Sequence, residues 1–395
     1  MFMNSKMTEL GKKPSKIREI FEYSRGRKQL LGAENVFDFS LGNPSIPAPD
    51  SVNSAIGKLI NETDSVALHG YTSAQGDLGV RKAIAESIEK RFGVAASPDD
   101  FYMTCGAAAS LTITLKSICE AGDEVIVLAP FFPEYSVFIE NAGAKRVTVN
   151  CAPPDFTIDF SALEKAINKN TAAVLINFPN NPTGAVISKD EAKRLGTLLK
   201  AKSDELGKPV YLISDEPYRE LCYGEPAPFM PKHYDNTIVD YSFSKSLSLP
   251  GERIGYIFVP ATVKDGRDLY AAVCGAGRSM GYVCAPSLMQ YAIKNCLFDT
   301  ADISAYNKNR ELFYGALTEI GYTVTKPGGA FYLFVKSPSG DGNEFCERAK
   351  KYEILMVPSD SFGIKGYARI AYCVKYETIE KSIPAFKALM EEYKR

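Results

Sequence analysis

The chain is short of histidine. Only His69 and His233 occur in 395 residues, so a Ser-His-Asp triad or a histidine-built metal centre has little material. The nine cysteines (Cys105, Cys119, Cys151, Cys222, Cys274, Cys284, Cys296, Cys346 and Cys373) are odd in number and scattered, with no C-x-x-C pair. That spacing argues against a disulfide framework and a structural zinc site. Reduced thiols in a cytoplasmic protein are the expected state. The charge balance lacks either sign in excess: 46 Lys and Arg stand against 47 Asp and Glu, a net −1. No polyelectrolyte attraction to nucleic acid or an anionic membrane is expected, and any basic site must be local. No apolar run approaches a membrane span, and Met1–Leu10 has no apolar core of signal-peptide length. Internal repeats and low-complexity linkers are absent, and so is the G-x-G-x-x-G of a dinucleotide site.

What is present is ordinary in amount and ordered in pattern. A hydrophobic content of 45% and a charged content of 24% are those of a globular protein, and the length predicts two domains. Short apolar runs alternate with amphipathic stretches. Strands are expected at 101–104, 125–128, 147–149, 173–176, 210–213 and 238–240, with a helix from about Leu111 to Cys119 and another opened by the capping box Ser188/Glu191. Alternation of this kind predicts a mainly parallel sheet between helices. Such sheets bind ligands outside the carboxyl ends of their strands.

The segment Val239–Tyr256 stands apart. Lys245 sits among Ser242, Ser244, Ser246 and Ser248; Pro250-Gly251 then turns the chain, and Arg253 follows eight residues after the lysine. A lysine that reacts with a carbonyl needs a sheltered amine. Hydroxyls and an arginine beside it suit a phosphate monoester. Together they suggest pyridoxal phosphate, a cofactor with both an aldehyde and a phosphate. Other punctuated stretches recur along the chain, all but Gly70–Leu78 just after an expected strand, the first of these being Phe37–Leu41. They are Gly42-Asn43-Pro44, Gly70–Leu78, Gly106-Ala107-Ala108 opening a helix, Ala129–Tyr135, Asn177–Gly184 (N-F-P-N-N-P-T-G) and Ser214–Tyr218. A glycine and small residues at a helix start leave N–H groups free for phosphate. A carboxylate after a strand suits a pyridine nitrogen.

These stretches, in this order from Gly42 to Arg369, resemble the class I/II aminotransferases, the fold-type I enzymes of pyridoxal 5′-phosphate. The resemblance implies an α/β fold with a large domain, built on a mainly parallel seven-stranded sheet, and a smaller C-terminal α/β domain. It implies amino transfer from an L-amino acid to a 2-oxo acid by a ping-pong route, aspartate-type or broad. Residue by residue, it places the covalent lysine at Lys245, the ring-nitrogen carboxylate at Asp215 and a ring-oxygen hydroxyl at Tyr218. The ring-oxygen amide falls at Asn181 and the stacking aromatic at Phe132. The phosphate group falls to Gly106, Ala107, Ala108, Ser242, Ser244 and Arg253, with Tyr71 reaching across a homodimer interface to the partner's cofactor. Substrate contacts fall at Gly42, Asn181 and Arg369, the last clamping the α-carboxylate, with Arg278 as a reader of a distal carboxylate. Alanine stands beside Gly106 where relatives often carry Ser or Thr, so backbone N–H groups must serve there.

The expected division is an N-terminal arm with part of the small domain at 1–45, a cofactor-binding domain at 46–285 and a small domain at 286–395. Two other functions remain on the same sequence. A C–S β-lyase uses the same scaffold, and a non-catalytic cofactor-binding regulator would need a DNA-binding appendage for which the short N-terminus leaves no room.

Overall fold

A computed structural model describes residues 3–12 and 15–395 of the chain; residues 1–2 and 13–14 of the expected N-terminal arm lie outside the described residues. The first strand, β1 (Phe37–Asp38), is two residues long, shorter than the Phe37–Leu41 run suggests. Seven strands then form the large sheet: β2 (Phe101–Thr104), β3 (Glu124–Ala129), β4 (Lys145–Asn150), β5 (Thr171–Asn177), β6 (Tyr211–Asp215), β7 (Thr237–Ser242) and β8 (Gly255–Phe258). Their spatial order is β2-β8-β7-β6-β5-β3-β4. From β4 to β7 the neighbours are parallel. The hairpin-like return β8 runs antiparallel to both β7 and β2. All residues of β5 and β7 are buried, as a sheet covered by helices on both faces requires.

Local chemistry accounts for the element ends. The helix Lys189–Leu206 opens on the reciprocal Ser188/Glu191 box and stops at Gly207, which has φ +67°. The helix Leu78–Phe92 is capped by the Asp77 carboxylate and buries Val80, Ile84 and Ile88 along one stripe. The helix carrying Arg278 ends at Ser279. Gly281 takes φ +76°, and the Gly281 and Tyr282 amides donate back to the Arg278 and Gly277 carbonyls at 3.2 and 2.8 Å. This paired closure is the left-handed helix stop that glycine favours.

The remaining strands are β9 (Val324–Thr325), β10 (Tyr332–Lys336), β11 (Ile354–Leu355), β12 (Val357–Pro358) and β13 (Tyr367–Ala371). They make a four-stranded sheet in the order β12-β13-β10-β9, while β11 pairs in parallel with β1. The apolar run 354–357 therefore divides between two sheets and is not one strand. A core of Phe39, Tyr306, Phe313, Phe331, Phe345 and Phe386 binds residues from the start of the chain to its last helix, Tyr376–Lys394.

Candidate active site

The carboxyl ends of β5, β6 and β7, the N-terminus of the helix Ala107–Ile118 and the β13 strand border one cleft of about 530 Å³. Gly42, Ala107, Ala108, Phe132, Asn181, Asp215, Tyr218, Ser242, Ser244, Lys245, Arg253 and Arg369 all line it. Residues up to 327 positions apart in sequence thus meet at one sheet edge, the arrangement that strand alternation predicts.

Lys245 lies in the short helical turn Phe243–Ser246 that follows β7. Its Nζ donates to the Gly42 carbonyl at 2.7 Å. Withdrawal of the amine from water pulls its pKa down to about 8; the Arg253 and Arg369 charges add to the fall, while Cys373 opposes it. Gly42 is required by contact, because a Cβ there would stand 2.0 Å from the Tyr332 hydroxyl. That hydroxyl shares a 2.9 Å hydrogen bond with Tyr218.

Asp215 ends β6 and is buried. Its Oδ2 accepts from the Tyr135 hydroxyl and, at 3.4 Å, from Asn177 Nδ2. Its Oδ1 has no hydrogen-bond partner. Burial pushes the carboxyl up to about 7, with the Tyr135 bond opposing and the Glu216 charge adding. A buried acceptor with nothing to accept from is costly by roughly 1–3 kcal/mol, and on a residue that lines the cleft it fits a ligand N–H.

The opposite end of the cleft suits an anion. Gly106 has φ +84° and opens the helix Ala107–Ile118 without a side-chain cap. A Cβ there would come within 2.7 Å of Arg253 Nη2, so only glycine lets the guanidinium lie against the helix start. Ser242 and Ser244 face each other at 2.7 Å between their hydroxyls. Arg369, 2% exposed, donates from Nη1 to Asn181 Oδ1 at 3.1 Å and from Nη2 to the Ser40 carbonyl. Its Nε is unpartnered.

Two expected residues are not brought to this cleft within one chain. Tyr71 is 98% exposed, and Arg278 lies exposed in the last turn of its helix, away from the lining. Other contributors went unread in the sequence: Tyr135, Asn177 and Tyr332, and Ser15, Ile17, Arg18 and Phe21 around the start of the helix Lys16–Leu31. For Asn177 a signal existed, since it opens the N-x-P-N-N-P-T-G stretch. The Asn177 Oδ1 accepts from the Asn181 amide at 2.9 Å and so shapes that turn.

Comparison with known proteins gives a family and a fold. The family described as aminotransferase class I and II matches residues 34–386. The chain is 28% identical to a probable aspartate aminotransferase of Methanocaldococcus jannaschii, over 96% of this chain and 98% of that protein. It is 30% identical to the aspartate aminotransferase of Pyrococcus horikoshii, over 96% and 95%. Among solved structures, an amino transferase from Eubacterium rectale superposes with a TM-score of 0.98 at 54% identity, covering 100% of both chains. The Thermus thermophilus aspartate aminotransferase with maleate superposes with 0.87 at 25% identity, covering 98% of this chain and 100% of that one.

Proposed function

The chain belongs to the class I and II aminotransferase family and is an aminotransferase, and from that premise we propose that it uses pyridoxal 5′-phosphate to move an amino group from an L-amino acid, aspartate or a broader set, to a 2-oxo acid. The observation that carries this reading is the pairing, in one cleft, of the Lys245 amine with the partnerless buried Oδ1 of Asp215. Bound there, the cofactor supplies an electron sink for the carbon that loses its proton.

The chain's own residues do the rest. Asp215 would hold the ring nitrogen, Asn181 and Tyr218 would serve the ring oxygen, and Phe132 would stack on the ring. The Ala107 and Ala108 amides, Ser242, Ser244 and Arg253 would hold the phosphate beside Gly106. Arg369 holds the substrate α-carboxylate in its planar fork, close to the Gly42 backbone. Lys245 would take the proton from the substrate α-carbon as general base and, once protonated, serve as general acid; an amine brought near the working pH suits both roles.

The domain division belongs to the same reading: 1–45 with 286–395 on one side and 46–285 on the other. The β1–β11 pairing supports it. No helix among the described residues is long and apolar enough to cross a membrane; a cytoplasmic enzyme is the proposal.

The test is direct. Pyridoxal phosphate titrated into purified protein should give a protein-bound visible absorption band, and an amino-donor panel with 2-oxoglutarate should give turnover. Absence of the band sinks the reading. Release of pyruvate and ammonia from cystathionine without added oxo acid would favour the lyase.

The proposed homodimer follows from Tyr71, a large aromatic wholly exposed in one chain. Tyr71→Ala and Lys245→Ala, each inactive, should regain partial turnover when mixed and refolded, because one site of the heterodimer carries neither change. No recovery, with heterodimers shown to be present, places Tyr71 outside the partner's site.

The proposed aspartate preference leans on Arg278, which then has to be delivered by the partner. Arg278→Ala should cost roughly 2 kcal/mol in kcat/KM for aspartate and glutamate, with neutral donors unchanged. An equal loss on all donors removes Arg278 as selector.

A further inference from the structure

Behind Asp215 lies a second carboxyl that the reaction above does not use. Asp240 sits in β7, register-paired with Asp215 on the neighbouring parallel strand β6. Paired residues on adjacent strands project to the same face of a sheet, with strands about 4.8 Å apart. On that face the two carboxyls meet the same helical layer. Asp215 Oδ2 takes the Tyr135 hydroxyl from the helix Glu134–Asn141. Asp240 Oδ1 takes the Thr114 hydroxyl from the helix Ala107–Ile118 at 2.8 Å. Each carboxyl keeps one buried oxygen without a partner, Oδ1 on Asp215 and Oδ2 on Asp240. Asp215 lines the cleft; Asp240 is fully enclosed and does not.

We propose that Asp240 is a positioning residue that stays protonated and donates its O–H to the Asp215 carboxylate, so that Asp215 can carry the charge facing the cleft. An ionised carboxylate accepts at about four lone-pair sites. Asp215 Oδ1 therefore has room for this O–H and for a ligand N–H together. Nothing else near Asp240 neutralises it. The titratable groups near it are Asp215 from β6, Glu216 just after that strand and Tyr135 from the neighbouring helix. The helix Ala107–Ile118 offers Thr114 and no charge, and β8 offers Ile257. Glu216 is itself paired with Arg219. Among the described residues no cation forms an ion pair with Asp240. Burial above all, opposed by the Thr114 bond and reinforced by the Asp215 and Glu216 charges, holds its proton well above the carboxylate range. Two like acids side by side in a dry site do not both ionise. The one nearer the cleft gives up its proton first.

The inference rests on Asp215 as the ring-nitrogen carboxylate only for its consequence; the titration arm of the test uses apoprotein, and the cofactor-binding arm reads that consequence. Aspartate carboxyl-labelled apoenzyme followed by carbon NMR should show Asp215 titrating near 7 and Asp240 still protonated there. In Asp240→Val, Asp215 should titrate at least one unit higher and cofactor affinity near neutral pH should fall about tenfold. Asp240→Asn, which keeps a neutral donor in the same place, should restore both. An Asp240 that ionises in the ordinary carboxylate range in the unaltered protein overturns the proposal, whether or not the valine variant folds. An unmoved Asp215 in Asp240→Val overturns it too. A normal apoenzyme dyad with no effect on cofactor binding would instead sink the assignment of Asp215 and leave the pair intact.

Discussion

Lys245→Ala is expected to fold, to keep the cleft and to lose turnover by roughly 10⁴-fold, the upper end of what one positioned acid–base group supplies. The Nζ bonds the Gly42 carbonyl and lies 5.4 Å from the centre of the Phe331 ring; neither contact is to β7 or the following turn, so removing the side chain leaves both intact. The protein-bound visible band of the cofactor should vanish with it, while cofactor retention through the phosphate site persists. Turnover like that of the unaltered enzyme would be incompatible with the mechanism. The pH dependence has a definite sign. The amine's pKa is lowered, to about 8, by burial and by Arg253 and Arg369. Its reactive neutral form is therefore scarce below that pH and complete above it, and the rate of cofactor capture by apoenzyme should rise through about 8 to a plateau. Arg253→Ala or Arg369→Ala removes a neighbouring positive charge, so the rise should move to higher pH in either variant.

Arg369→Ala should cost about 2–5 kcal/mol in kcat/KM, roughly 30- to several-thousand-fold, and the loss should be the same for every amino donor. The α-carboxylate is common to all of them, which separates this arginine from any reader of the side chain. Part of the cost is internal. The Asn181 Oδ1 and the Ser40 carbonyl lose their buried donor, and each orphaned acceptor is unfavourable by roughly 1–3 kcal/mol. Arg369→Lys keeps the charge but not the fork and should recover only part of the loss. A loss confined to acidic donors would move the α-carboxylate elsewhere. The cofactor band should persist, because Lys245 remains in place, though its titration should move as described above.

The sequence disclosed the cleft where function and local pattern coincide. Asn181, Asp215 and Ser242 each close or follow an apolar strand, so their common edge follows from topology alone. The antiparallel placement of β8 did not follow, because direction within a sheet leaves no mark on a four-residue apolar run. Tyr332 and Tyr135 stayed hidden for another reason. An aromatic in a buried strand or helix reads as core, and the partner that gives Tyr332 a role, Tyr218, lies 114 residues away. Asp240 is a further case. A carboxyl inside an apolar strand went unread, and its meaning required the register with Asp215. Arg278 and Tyr71 were picked out by their flanking residues, and a single chain gives neither of them a ligand to meet.

The pairing of β1 with β11 bears on how the protein is made. Residues 37–38 wait for residues 354–355, the Phe39 carbonyl waits for the Ala371 amide, and Ser40 waits for Arg369, 329 positions later. On a ribosome adding about 5–20 residues per second, the large sheet and Lys245 emerge well before these partners. The Gly42 loop has nothing to settle against until residues 354–371 are out. A nascent chain therefore holds an unclamped lysine for several seconds, and the site closes around it only once these strands have emerged.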